Sequence, residues 1–226
     1  MTTISQPPTV QTIHYPESDG QPMAENTEQF RWIVMIKENL EACFQDRPDV
    51  FVAGDLLWYP VEGHPEIRRA PDTMVVFGRP KGRRGSYLQW QEDGITPQVV
   101  FEVLSPGNTL TEMLEKLEFY ERYGVEEYYI YNPDAPDLAG MLREGDKLRV
   151  HSPMDGWTSP RLGIRFDMSG EELRILAPDG QPFVSFSALK QQRDEERTAR
   201  QQAEQRAECL AARLRELGIE PDAAAE

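Results

Sequence analysis

Seven residues, Gln98-Val99-Val100-Phe101-Glu102-Val103-Leu104, constrain this chain more than any other stretch, because they are apolar enough for a buried strand yet carry one carboxylate near their middle. Burying an unpaired charge is costly, so Glu102 demands a cation or a set of donors wherever the strand ends up. The residues after it are punctuated for a helix. Ser105-Pro106-Gly107-Asn108 turns the chain, Thr109-Leu110-Thr111-Glu112 has the spacing of a capping box, and Gly124 closes a helix that reaches about Tyr123. Glu127-Tyr128-Tyr129-Ile130-Tyr131 then reads as a strand. A strand, helix, strand order implies parallel neighbours joined by a crossover, and therefore a mixed α/β fold with a central mixed sheet flanked by helices.

The flanking segments extend that sheet. Apolar residues recur at helical spacing from about Glu25 to Phe44 (Phe30, Ile33, Ile36 or Lys37, Leu40, Phe44), which predicts one buried stripe. Val50–Ala53 and Leu56–Tyr59 read as strands broken at Gly54-Asp55, and Thr73–Phe77 as another. Gly140–Arg143 and Lys147–Ser152 read as a hairpin, with short strands expected around Leu173–Leu176 and Phe183–Phe186. From about Ala188 to Gly218 the composition shifts to Arg, Glu, Gln and Ala, as in a long exposed helix. Ala203, Ala207, Leu210, Leu214 and Leu217 keep a heptad step there, so this coiled-coil-like helix is read as joining copies of the chain or recruiting a protein partner, with docking back on its own body or a solvated helix as the other readings. The expected organisation is an arm over 1–22, a domain over 23–187, the helix over 188–218 and a tail over 219–226.

An antiparallel pairing of the 73–77 and 98–104 strands could bring Asp72 and Glu102 together. Two hard oxygen donors suit Mg2+ or Mn2+, which keep several waters and accept a substrate phosphate. Lys116 falls in the second turn of the following helix, close enough to the strand end to swing over both carboxylates. Its other reading is a surface ion pair with Glu112, four residues earlier. Asp55 is either a third acid or a turn former beside glycine.

The net charge of −15 weighs against broad adhesion to nucleic acid, since such binders neutralise phosphates with Lys and Arg. Seven basic and nine acidic side chains lie from Lys190 onward, so the acidity belongs to the body. Locally, Arg68 and Arg69 precede Asp72, and Arg79, Lys81, Arg83 and Arg84 follow the next strand, either as a phosphate-steering rim or as an ordinary solvated loop. Two cysteines and three histidines make neither a disulfide framework nor a zinc set, and no run approaches a membrane span, which fits a cytoplasmic protein.

The order Pro71-Asp72, Glu102-Val103-Leu104-Ser105-Pro106, Lys116, Tyr120, Gly124-Val125-Glu126-Glu127-Tyr128 and Asn132-Pro133 resembles the Uma2 family of the PD-(D/E)xK nuclease superfamily. The likeness runs from about Tyr15 to about Ala177 and includes Ser18-Asp19-Gly20. It implies a restriction-endonuclease-like core, Mg2+-dependent hydrolysis of DNA, and Asp72, Glu102 and the backbone carbonyl of Val103 as metal ligands. The superfamily lysine stands two residues after the second acid, where this chain has Leu104; the resemblance assigns that role to Lys116. It also nominates Glu25 as a first-helix acid near the site, which is otherwise a solvated carboxylate favoured by the helix dipole. A catalytically silent binding or assembly module, recruited through the C-terminal helix, is the competing implication.

Overall fold

The computed structural model describes residues 13–18, 20 and 22–218. Ser18-Asp19-Gly20 is thus only partly described, and the expected tail over 219–226 lies outside the described residues. Two units emerge, one ending at Phe183 and one beginning at Val184.

The first unit is a mixed α/β domain. Its elements are α1 (Thr27–Cys43), β1 (Val50–Ala53), β2 (Trp58–Tyr59), β3 (Thr73–Phe77), β4 (Tyr87–Leu88), β5 (Val99–Val103), α2 (Leu110–Arg122), β6 (Glu127–Asn132), β7 (Asp137–Glu144), β8 (Lys147–His151), β9 (Arg165–Asp167) and β10 (Arg174–Leu176). Six strands form the central sheet in the order β1-β3-β5-β6-β7-β8. β5 and β6 are parallel, joined through α2, while the other neighbours are antiparallel.

Both faces of this sheet are covered, which is why β5 is buried along its whole length and reads as a continuous apolar run. On one face Trp32, Ile33, Ile36 and Leu40 of α1 pack with Val75, Val99, Phe101, Val103 and Tyr129. On the other, Tyr120 of α2 packs with Met74, Val76, Val100 and Tyr128, and Met113 and Leu117 lie against them. Successive strand residues alternate between the two layers, as the pleat requires.

Three local expectations are corrected. Phe30 is 47% exposed, because the buried stripe of α1 is rotated toward Gln29, Trp32 and Ile33. Trp58–Tyr59 does not extend the central sheet but pairs in parallel with β4 in a separate two-stranded sheet. No strand forms over 183–186: the Ser185 side chain caps a helix at Ala188, and Phe186 opens α3 (Phe186–Glu216), the main element of the second unit.

Candidate active site

The site begins with strand register. β3 and β5 pair with Thr73 opposite Phe101 and Met74 opposite Val100; continued by one residue, the same register sets Asp72 opposite Glu102. The two-residue period puts both carboxylates on the α2 side with Met74 and Val100, while Thr73 and Phe101 face the other way. A hydrogen bond fixes the arrangement, because the amide of Val103 donates to Asp72 Oδ2 at 2.6 Å.

Glu102 is 2% exposed and is held from α2 by two donors. Tyr120 donates its hydroxyl to Oε1 at 2.5 Å, and Lys116 Nζ donates to Oε2 at 2.9 Å. The helix period explains the pair, since residues four apart share one face. The same spacing puts Glu112 at 3.4 Å from Lys116, so the lysine spans the buried carboxylate and the surface one. Lys116 thus makes the ion pair with Glu112 and reaches Glu102 at the same time.

The electrostatics arise from this crowding. Burial, with the Glu102 charge beside it, pushes the Asp72 carboxyl well above the ordinary aspartate value; the Val103 amide and Lys116 oppose this without reversing it. Burial alone would depress Lys116, but the charge and hydrogen bond of Glu102, with Asp72 behind it, hold the ammonium above the usual lysine range. Lys116 is thus a fixed cation and donor rather than a proton acceptor at neutral pH. Burial and the neighbouring Glu102 likewise keep the Tyr120 hydroxyl protonated.

Asp72 and Lys116 open onto a cavity of about 1000 Å3, also lined by Glu25, Gln29, Asp55, Arg68 and Arg69. Asp55 sits at φ 49°, donates its backbone amide to Pro71 O at 3.1 Å, and adds to the upward pressure on Asp72. Glu25 precedes α1 rather than lying in it, and its Oε2 accepts the Ser105 hydroxyl at 2.5 Å. The residue of α1 that reaches the β5 end is Gln29: Nε2 donates to the Val103 carbonyl at 2.9 Å, while Oε1 accepts the Glu25 amide at 2.8 Å. Sequence reasoning missed Gln29. Its one signal was a polar side chain interrupting the face that also carries Ile33 and Ile36.

The expected cationic rim divides. Arg68 and Arg69 line the cavity, the former tied to Pro65 O at 3.0 Å and the latter to Glu115 at 3.3 Å. Arg79, Lys81, Arg83 and Arg84 are not among its described lining residues. Lys81 instead caps the end of α1, donating to Phe44 O at 2.7 Å, and Arg84 pairs with Glu92 at 2.6 Å. β3 accounts for the separation: its five residues, at about 3.3 Å each, carry the chain to the far end of the sheet from Asp72.

Six acidic side chains line the cavity against Arg68, Arg69 and Lys116. A phosphodiester entering such a space needs a further positive charge. Among the described residues no group of three or more His, Cys, Asp or Glu side chains is placed to hold a metal ion. Asp72, Glu102 and the Val103 carbonyl are hard oxygen donors of the kind that hold divalent cations, with Asp72 on the cavity and Glu102 already engaged through both oxygens by Tyr120 and Lys116. Gln29 already donates to that carbonyl, whose oxygen has two lone pairs.

Among solved structures, a nuclease of the DUF820 group from Anabaena variabilis, described as "putative", matches at 14% identity with a TM-score of 0.46, over 63% of this chain and 76% of its own. No curated protein matches the chain. The profile of the family described as "Putative restriction endonuclease" matches residues 12–181, which is most of the chain and contains Asp72, Glu102, Lys116 and Tyr120. By that match the chain belongs to the Uma2 family.

Proposed function

We propose that this protein is an endonuclease that hydrolyses phosphodiester bonds of DNA with Mg2+, or Mn2+ in its place, in the cytoplasm. The observation that carries the reading is the meeting of Asp72, just before β3, with Glu102 of β5 and Lys116 of α2, where Asp72 and Lys116 open onto the cavity and Glu102 is buried behind them. Asp72, Glu102 and the Val103 carbonyl would hold the cation. When bound, it supplies charge to polarise the scissile phosphate and to lower the pKa of a water.

The remaining work falls to the chain's own groups. Lys116 holds a permanent positive charge where the phosphate gains negative charge, and its N–H groups can orient the attacking water. Tyr120 fixes Glu102 in place beside Asp72 and Lys116 through the hydrogen bond to Oε1. Gln29 holds the Val103 carbonyl, and Arg68 and Arg69 draw the sugar-phosphate chain toward the opening. Glu25 and Asp55 are further acidic contributors on the wall.

A silent nuclease-like module has one observation in its favour, that Lys116 is already engaged by Glu102 and Glu112. Cleavage of plasmid and linear DNA by the intact chain in Mg2+ or Mn2+, beside Asp72→Ala and Lys116→Ala, separates the readings. Activity lost in both variants supports catalysis at this site; activity that survives both rejects it; and DNA binding without cleavage by the intact chain favours the silent module.

A further inference from the structure

α3 carries a stripe whose spacing reads the same in both directions and whose large apolar residues stand at its two ends. Alternating steps of three and four residues run without interruption from Phe186 to the cap residue Leu217. Large apolar side chains occupy both ends, Phe186 and Leu189 at one and Leu210, Leu214 and Leu217 at the other. Arg193, Glu196 and Arg200 lie between them, followed by Ala203 and Ala207. None of the helix's described residues is buried, and Phe186, Leu189, Leu210 and Leu217 are 82%, 53%, 64% and 71% exposed. Long helices draw most of their stability from covering such a stripe.

We propose that α3 pairs with α3 of a second copy of this chain as an antiparallel two-stranded coiled coil. With Phe186 set against the partner's Leu217, the seam brings Leu189 against the partner's Leu214, and the symmetry of the pair repeats both layers at the other end. Arg193 lays its aliphatic stem along the partner's Leu210. The long polar side chains of Glu196 and Arg200 fall opposite the partner's Ala207 and Ala203, where small side chains leave room for them to reach water.

Direction is settled by charge. A parallel pair would stack Arg193, Glu196 and Arg200 each on its own copy in three successive layers, like on like. The flanking positions discriminate in the same sense. Reversed helices place Arg197 beside the partner's Glu204, twice about the dyad, whereas parallel helices would face Gln192 with Arg197 and Ala199 with Glu204, without an ion pair. Within one helix Glu204 already accepts from Arg200 at 3.0 Å, so its carboxylate is turned toward the central layers. This pairing does not depend on the nuclease reading, and it gives the assembly two copies of the Asp72–Glu102 cavity.

The test uses full-length chains in which Cys209→Ser removes the exposed native thiol of the helix. Leu189→Cys and Leu214→Cys variants are prepared separately, mixed, oxidised, and the disulfides assigned by peptide mass spectrometry. The expected product is the mixed 189–214 disulfide, with light scattering of the unmodified chain giving twice 25.9 kDa and Leu189→Glu with Leu214→Glu returning it to one. Like-with-like disulfides as the main product, or a monomer mass for the unmodified chain at about 100 μM, would overturn the proposal.

Discussion

Asparagine at position 72 should make the protein more stable while weakening its hold on a cation. Residues directly opposite on one sheet face have Cβ atoms about 4.5–5.5 Å apart. Two carboxylates at about 5 Å repel by roughly 3 kcal/mol at an effective dielectric of about 20. Lys116, 2.9 Å from Glu102, offsets much of this, and the cavity admits water beside Asp72, so the net relief in Asp72→Asn is on the order of 1 kcal/mol. The Val103 amide keeps an acceptor, because the asparagine carbonyl can take the place of Oδ2. For a domain of this size, 1 kcal/mol is about 2–4 °C in Tm.

The pH dependence has a definite sign. Asp72 binds its proton more tightly in the folded chain than in the unfolded one, so its ionisation costs nothing below the ordinary value of 3.8 and costs progressively more as pH rises from there through the folded value. The advantage of Asp72→Asn should therefore be close to zero at about pH 4 and grow as pH rises toward the raised folded value, above which it is complete. Thermal unfolding monitored by circular dichroism, in chelator and then in Mg2+, measures both parts. Mg2+ should raise the wild-type Tm by mass action and leave the variant nearly unchanged. An advantage of Asp72→Asn that fails to grow with rising pH in the absence of metal, or equal Mg2+ stabilisation of both proteins, refutes the reasoning.

Two further outcomes test the supports of the site. Tyr120→Phe removes a buried donor to Glu102 and should cost about 1–3 kcal/mol, with roughly 10–100-fold weaker Mg2+ binding by titration calorimetry. Unchanged stability and metal affinity would mean that the hydroxyl does not position Glu102. Gln29→Leu keeps side-chain bulk on the α1 face but leaves the Val103 carbonyl and Glu25 amide without their partner, so chemical denaturation should show a loss of about 1–3 kcal/mol. Wild-type stability in that variant would place both backbone groups in contact with water instead.

The features legible in the sequence and those that were not divide along range in the chain. The caps of α2 were visible because Thr109 and Gly124 act within a turn of where they stand. Asp72 and Glu102 could be matched because antiparallel pairing and a two-residue period leave few ways to place two acids at adjoining strand ends. Phe30 was misplaced because an apolar stripe can rotate by one position and still satisfy helical spacing; only the sheet beneath decides that Trp32 goes in and Phe30 stays out.

Lys81 and Arg84 are close to Asp72 in sequence and engaged elsewhere in space, since an extended strand carries its ends apart. Gln29 and Val103 stand 74 residues apart, and no local rule links a helix amide to that particular carbonyl. Local chemistry along the chain was enough to determine the strand, helix, strand core over β5, α2 and β6 and the identity of the charged residues that needed partners. Which partners they received, with Tyr120 and Lys116 on the two oxygens of Glu102 and Gln29 on the carbonyl beside it, was decided only by tertiary packing, because side-chain hydrogen bonds depend on ångström-scale placement that a repeating pattern does not specify.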